Sequence, residues 1–362
     1  MKVLLVTGIF PPDIGGPATF VPKFADYLLK KGHEVRILTL AEDIKPQSSD
    51  ITVVTRINRN LRKPLRTFSI IWEILRVPSD FKIFANGLHE EVGLSQVVKS
   101  RRSIAKIVGD PVWERARNNN ATTQNIVEFN RSDLKLKNRL QRILLVFALN
   151  RFNAITCPST ELCEFVKQWG VDQPTKFIAN GTEIQPLNNN SDREYDLISV
   201  SRLVSWKNID RHIEIAIALN LKMAIVGSGP EEFRLRELAK EHNGEITFLG
   251  ELTSLEINRY MQKSRVFILL SEYEGLSYSL LEALAFGLPA IVSDIEANTE
   301  VVRNKIEGIV LPKDDWQKSL QQIREIFESD AIYKQYSHNA RSRIAEAYEI
   351  DFQLAKIEEL LK

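Results

Sequence analysis

The stretch SEYEGLSYSLLEALAFGLP at 271–289 puts Glu274 in a glycine-containing turn and Glu282 inside a nearly all-apolar segment. Read as a helix over 277–286, Leu280, Leu281, Ala283, Leu284, Ala285 and Phe286 leave little room for a water-facing side. Such a helix is expected to be buried, and a glutamate is seldom buried without a partner. Glu282 therefore asks for one, and Glu274, eight residues earlier, places a second carboxylate just ahead of the helix.

The segments on either side alternate. YDLISVS, KMAIVG, ITFLG and RVFILL read as strands, with helices expected from about 208, 230 and 253, and PAIVS follows the opening stretch. TSLE at 253–256 is a capping-box signature. The first forty residues have the same rhythm: strand KVLLVT (2–7), loop GIFPPDIGGP (8–17), helix 18–31, Gly32 at the C′ position and strand EVRILTL (34–40). Further strands are expected at ITVV (51–54), KIFA (82–85), IAKIV (104–108) and AITC (154–157). Alternation of this kind implies α/β architecture with parallel sheets covered on both faces. PLNNNSDREY (186–195) is the most loop-like segment and divides the chain into two domains of similar size. A helical segment over roughly 331–361 is longer than covering a sheet requires.

Composition sets the class. At 362 residues, 44% apolar and 26% charged, the chain reads as a soluble globular protein with more than one core. Cys157 and Cys163, six positions apart, form neither a disulfide framework nor a metal pattern and read as buried thiols in a reducing compartment. The apolar run of MKVLLVTGIFPPD is too short for a secretory signal, and ILLVFAL (143–149), the longest notable run, is too short for a membrane span. A cytoplasmic protein is the expectation. The near-neutral total hides an asymmetry: residues 1–185 hold 27 basic and 18 acidic residues (27 − 18 = +9), and the remainder 21 and 29 (21 − 29 = −8). The basic excess lies in RINRNLRKPLR (56–66), KSRRSIAK (99–106) and LKLKNRLQR (134–142), the last running straight into ILLVFAL. Such a surface suits peripheral contact with an anionic membrane, against the plainer reading of a solvated basic face and one buried helix. No nucleic-acid module is present.

In open parallel sheets ligands bind at the carboxyl ends of strands. Gly15-Gly16, the loop SRLVSWKN with Arg202 and Lys207, the GSGP turn from Gly227 and SEYEG all follow strands. Glycine turns admit backbone N–H groups to an anion, and the two cations suit a diphosphate. Each alone has a plainer reading, as a turn or a solvated charge. No G-x-G-x-x-G follows the first or second strand, and no P-loop occurs, which disfavours dinucleotide enzymes and P-loop NTPases.

Taken together, EGLSYSLLE (274–282), PPDIGG, CPSTEL, FIANGTEI, SRLVSWKN, VGSGPE, ITFLGEL and EALAFGLPAIVSD resemble, in order and spacing, the family-4 retaining glycosyltransferases with their E-x7-E motif. The resemblance spans nearly the whole chain. It implies the GT-B fold, two Rossmann-like parallel-sheet domains facing each other across a cleft. The expected divisions are an acceptor-side domain over 1–187, a nucleotide-sugar domain over 188–345, and a C-terminal helix over 346–362 crossing back to the first. It further implies that Glu282 holds the donor ribose and Glu274 the donor sugar. Gly275, Leu276 and Ser277 would lie near the diphosphate, with Arg202, Lys207 and Gly227 from the second domain and Gly15 and Gly16 from the first. Phe248 and Leu249 would face the base. Metal independence, with no cofactor beyond the nucleotide-sugar substrate, is implied too; UDP is favoured, then GDP. Family members often carry a histidine where this chain has Gly109-Asp110, so Asp110 or His89 is expected to take the reacting-sugar role. The implied reaction is sugar transfer to a saccharide or lipid-linked acceptor in polysaccharide or glycolipid biosynthesis. Alternatives are a sugar-nucleotide epimerase of the same fold or a non-catalytic sugar-nucleotide-binding subunit.

Overall fold

The computed structural model describes residues 1–42, 53–185, 193–242, 244–313 and 315–362. The backbone divides into two compact units, Met1–Ala179 with Asp351–Lys362, and Asn180–Ile350. The expected divide at 187/188 lies outside the described residues.

The first unit holds strands β1 (Lys2–Thr7), β2 (Glu34–Ala41), β3 (Val53–Asn58), β4 (Phe81–Asn86), β5 (Ser103–Lys106), β6 (Ala154–Cys157) and β7 (Thr175–Phe177). They form one parallel sheet in the order β3-β2-β1-β4-β5-β6-β7. Its helices are α1 (Gly16–Lys30), α2 (Lys63–Arg76), α3 (His89–Val98), α4 (Pro111–Asn118), α5 (Ile126–Arg131), α6 (Leu136–Leu149) and α7 (Thr160–Gln168). The apolar run KVLLVT becomes β1, an interior strand between β2 and β4, buried from Val3 to Thr7. Gly32, just past α1, has φ of 77°, the left-handed turn expected of a glycine after a helix. Right-handed crossovers run one way along the sheet through α1 and the other way through α2, α3 and α6, so these helices cover opposite faces.

The second unit repeats the plan with β8 (Tyr195–Val200), β9 (Met223–Val226), β10 (Ile246–Gly250), β11 (Ser264–Leu269), β12 (Ala290–Ser293) and β13 (Gly308–Leu311). The order is β10-β9-β8-β11-β12-β13, all parallel. Its helices are α8 (Ile209–Leu219), α9 (Glu232–Glu241), α10 (Ser254–Gln262), α11 (Tyr278–Ala285), α12 (Glu296–Thr299), α13 (Leu320–Glu328) and α14 (Asp330–Arg343). Isoleucines and leucines of β8, β9, β11, α8 and α13 form its core. The capping box at α10 is present: Thr253 accepts from the Glu256 N–H at 3.4 Å, and Glu256 accepts from the Thr253 N–H at 2.9 Å.

Several expectations are adjusted. The strand expected over 104–108 ends at Lys106, and the first two residues of ITVV lie outside the described residues. The long C-terminal helix is broken. After α14 a π-helical turn spans Ile344–Tyr348, Glu349 is extended, and α15 (Ile350–Leu361) follows. From Asp351 this last helix belongs to the first unit. There Glu358, 7% exposed, accepts from the Tyr27 hydroxyl at 3.0 Å and contacts His33 at 3.2 Å. The Arg102 guanidinium and the Lys82 ammonium donate to the carbonyls of Leu360 and Lys362.

Candidate active site

Strand order reverses between β8 and β11 in the second sheet, and ligands of open α/β sheets settle at such switch points. The two loops leaving these strands carry four of the residues singled out in the sequence: Arg202 and Lys207 after β8, Glu274 and Ser277 after β11.

Lys207 ends a short 3₁₀ turn (Ser205–Lys207), and Asn208 follows in the left-handed conformation, φ 49°, before α8 begins. That turn aims the lysine back at the β11 loop, where its ammonium donates to Glu274 Oε1. The Ser271 hydroxyl donates to the same oxygen at 2.6 Å. Both partners of the ion pair are largely buried, with side chains 13% and 10% exposed, so the pair is shielded from water and salt. Glu274 and Lys207, expected as separate sugar and diphosphate contacts, are thus joined. Arg202 is exposed, its guanidinium 5.9 Å from the Trp206 ring centre, with no ion-pair partner among the described residues.

The loops are fixed by neighbours, of which the sequence reading singled out neither His212 nor Asn180. His212, fully buried, receives the Leu270 N–H on Nε2 at 3.0 Å and meets the Ser199 hydroxyl at Nδ1, 3.1 Å away. Burial, aided by the charge of Lys207, pushes its pKa down to about 3, so it stays neutral and acts as a strut. Asn180, 2% exposed, donates to the Leu276 carbonyl at 2.8 Å, while its own carbonyl oxygen has no partner among the described residues. Ser277 caps α11 by accepting from Leu280 N–H at 3.3 Å. Ser279 ties the helix start to the Val200 carbonyl at 2.9 Å.

The helix α11 is shorter and less enclosed than its sequence suggested. Leu280, Leu281, Ala283, Leu284 and Ala285 are buried, but Glu282 is only half-buried. Its neighbour one turn back is Tyr278, whose hydroxyl is buried without a partner among the described residues. Burial, and then the Glu282 charge, hold that phenol well above its usual pKa. The i, i+4 spacing of the two was legible in the sequence.

Gly227 and Gly229 turn out to be packing glycines. A Cβ on Gly227 would lie 2.0 Å from the Ser201 carbonyl oxygen, and one on Gly229 would lie 2.2 Å from that of Leu203. The Gly227 N–H is already bonded to the Gly250 carbonyl at 2.8 Å. Gly227 therefore seats the Arg202 loop and does not offer its amide to an anion. On β10 the register slips between Phe248 and Gly250, so Leu249 has no counterpart on β9. Such a bulge leaves the extra residue's backbone outside the ladder.

In the first sheet the switch point lies between β1 and β4. Gly15, with φ of 146°, precedes α1, whose first turn carries no side-chain cap and no acid. This leaves the positive helix end and its N–H groups open at Gly16. After β4, His89 begins α3 with Nε2 3.0 Å from the Lys106 carbonyl, and burial lowers its pKa. Asp110 departs from its expected role. It is fully buried as the cap of α4, accepting from the N–H groups of Val112 and Trp113 at 2.9 and 3.1 Å. Asn130 and Arg142 donate to its second oxygen. With both oxygens occupied, Asp110 is a structural cap. Beside them Lys106 is 1% exposed, its ammonium 4.0 Å from the Phe20 ring centre and without a hydrogen-bond partner among the described residues. Both side-chain polar atoms of Asn86 are likewise buried without partners among the described residues. Cys157 and Cys163 are buried, and neither is in a disulfide. Among the described residues no helix is long and apolar enough to cross a membrane.

Residues 181–343, which carry the second sheet and all its switch-point loops, match the family described as Glycosyl transferases group 1. Relatives agree with that class. An uncharacterized glycosyltransferase of Haemophilus influenzae is 28% identical over 173 residues, 45% of this chain and 48% of the relative. The UDP-Gal:alpha-D-GlcNAc-diphosphoundecaprenol alpha-1,3-galactosyltransferase of Escherichia coli is 26% identical over 256 residues, 64% of each chain. The chain thus spans about half to two thirds of the length of these curated relatives. Sucrose-phosphate synthase from Thermosynechococcus elongatus shares the fold, with a TM-score of 0.81 at 17% identity, over 99% of this chain and 98% of that one. The second unit thus resembles glycosyltransferases in sequence, and the chain, with its two Rossmann-like parallel-sheet domains, shares the fold of a solved structure.

Proposed function

We propose that the protein is a retaining, metal-independent glycosyltransferase of the E-x7-E kind. It would move a sugar from a nucleotide-diphosphate sugar, UDP-linked first and GDP-linked next, to a saccharide or lipid-linked acceptor in cell-surface polysaccharide or glycolipid biosynthesis. The observation that carries this reading is the buried Lys207–Glu274 pair beside the exposed Arg202 at the switch point of the family-matched unit.

In this reading the two cations neutralise the departing diphosphate, the charge that develops as the glycosidic bond breaks. Glu274 and Ser271 hold the Lys207 ammonium in one place, so it need not reorganise during the reaction. The capped start of α11 at Ser277 adds the positive end of a helix. Glu282, at the open side of α11, accepts from ribose hydroxyls, and the Leu249 bulge faces the base. Gly15-Gly16 is the first unit's candidate anion position. The acceptor attacks from the face the diphosphate leaves, with no enzyme-bound sugar. The relative acting on a diphosphoundecaprenol-linked sugar favours a lipid-linked acceptor, and with it a cytoplasmic enzyme making peripheral contact with an anionic membrane.

A thermal-shift series with UDP, GDP and their sugars tests the donor site, because a ligand that binds only the folded state raises its stability. UDP and UDP-sugars are expected to raise the melting temperature most; no shift with any of them refutes the site. Glu274→Gln is expected to keep nucleotide binding and lose donor turnover. Retained turnover would favour a role confined to structure, and a wild-type protein that binds but never turns over would be the binding subunit. A glycosylated Asp or Glu found by mass spectrometry would overturn same-face substitution.

A further inference from the structure

Helix α6 has two apolar faces, and only one is used. Leu145, Ala148 and Leu149 are buried on the side of a helix that packs against α3 and α4. Leu136, Leu140, Ile143, Leu144 and Phe147 are 40–73% exposed. Their spacing of i, i+4, i+7, i+8 and i+11 puts them on a single stripe opposite the buried side. Single exposed apolar residues are ordinary, but five aligned on one helix are not.

The stripe continues. A Cβ on Gly93 would lie 2.6 Å from Ala148, so α3 and α6 are in close backbone contact, and α2 packs on the other side of α3. On α2, Leu65, Phe68 and Trp72 are 53–65% exposed at i, i+3 and i+7, with the two aromatic rings stacked at 6.3 Å. At the end of α3, Val97 and Val98 are 58% and 72% exposed. One helical layer of the first unit thus presents aromatic and aliphatic side chains from three helices.

Charge decides what this layer meets. α6 contains no acidic residue, and the exposed Lys135, Lys137, Arg139 and Arg151 flank its stripe. The exposed Arg62 and Lys63 stand at the start of α2. Apolar side chains bordered by cations match the interface of an anionic bilayer, where apolar groups enter the acyl boundary and each basic residue is drawn to the headgroups. A protein partner would need a complementary acidic, apolar groove; a bilayer supplies both features over any area.

We infer that the α2–α3–α6 layer is a membrane-docking face for anionic lipid, seated by the α6 stripe and the Phe68–Trp72 pair. The assignment rests on the peripheral membrane contact of the proposed function and gives it a surface, but it is independent of the donor site, since it needs no nucleotide. Loss of vesicle binding with donor binding intact would refute this face alone.

The test is co-sedimentation with vesicles of phosphatidylcholine, with and without phosphatidylglycerol, at low and high salt. The wild type is expected to sediment with the anionic vesicles, less so at high salt. The variant Leu140→Ser/Ile143→Ser/Phe147→Ser is expected to bind at least tenfold more weakly with an unchanged melting temperature, because these side chains are already in water. In parallel, brominated lipid in anionic vesicles is expected to quench wild-type fluorescence, and Trp72→Phe is expected to remove that quenching; this arm holds even if the triple variant folds poorly. Absence of anionic-vesicle binding at low salt, undiminished binding by a folded triple variant, or quenching that survives Trp72→Phe overturns the assignment. So does a concentration-dependent dimer that the triple variant dissolves while vesicles leave the wild type in solution.

Discussion

Replacing Asp110 by alanine separates a structural carboxylate from a catalytic one. In the wild type one oxygen caps α4 through two N–H groups, and the other receives Asn130 and Arg142. Loss of the cap costs about 1 kcal/mol. Arg142 is only 8% exposed, its guanidinium 4.0 Å from the Trp169 ring centre, and has no other acid within ion-pair distance among the described residues. Removing one partner of such a buried pair costs about 3–5 kcal/mol. The effects overlap, so the expected loss is about 4 kcal/mol. With a urea slope of about 2 kcal/mol per molar, the first unit's midpoint falls by about 2 M. Hydrogen exchange of α4 to α6 with mass-spectrometric detection reads this unit separately, and transfer is measured per folded molecule. Asp110→Asn with Arg142→Met removes both charges and is expected to recover most of the stability. An Asp110→Ala protein with an unmoved midpoint and abolished transfer would refute the argument and return Asp110 to the reacting centre.

Lys207→Met removes one charge-assisted contact worth about 1.5–3 kcal/mol, so UDP affinity by calorimetry is expected to fall ten- to hundredfold. Gly229→Ala drives a Cβ against the Leu203 carbonyl and is expected to lower stability by about 3 kcal/mol, seen as a lower melting temperature for the second unit. For Glu358, the donors Lys362, His33 and Tyr27 pull the carboxyl from 4.5 down to about 2. Its folded pKa is the lower one, so its stabilisation is whole above about 4.5 and lost as pH falls toward about 2; Glu358→Gln is expected to flatten unfolding midpoints across that window. Lys106 is pushed by burial from 10.5 down to about 7. The wild type therefore loses stability as pH falls from 10.5 to about 7. Lys106→Met is expected to remove that slope and to be about 2 kcal/mol more stable at pH 7 once the lost contact with Phe20 is deducted; a less stable variant would show that the ammonium has a partner.

The repeated strand–helix rhythm made both sheets legible, because parallel strands buried on two faces are written as unbroken apolar runs such as KVLLVT and RVFILL. Short edge strands such as Thr175–Phe177, with two exposed residues, leave no such mark. The second unit's candidate site was legible by position, since Arg202, Lys207, Glu274 and Ser277 all follow strands. Their coupling was not. That Lys207 meets Glu274 depends on a left-handed Asn208, and that Gly227 packs on Ser201 depends on a distant loop. Asp110 misled for the same reason: an acid after a strand is a candidate reactant until Arg142, 32 residues on, is seen to hold it. Neither Asn180 nor His212 could be picked out, because their partners, the Leu276 carbonyl, the Leu270 N–H and the Ser199 hydroxyl, are brought to them only by the fold.

The break after α14 also sets the order in which the protein can be completed. The first unit emerges from the ribosome first, yet the helix carrying Glu358 arrives only after the whole second unit has been made. At about 5–20 residues per second that interval is on the order of ten seconds or more. Through it, Tyr27, His33 and the ends of β4 and β5 wait without their partners. The half of the molecule translated earliest is thus finished last, and a cut at 179/180 yields two fragments of which only the second is whole.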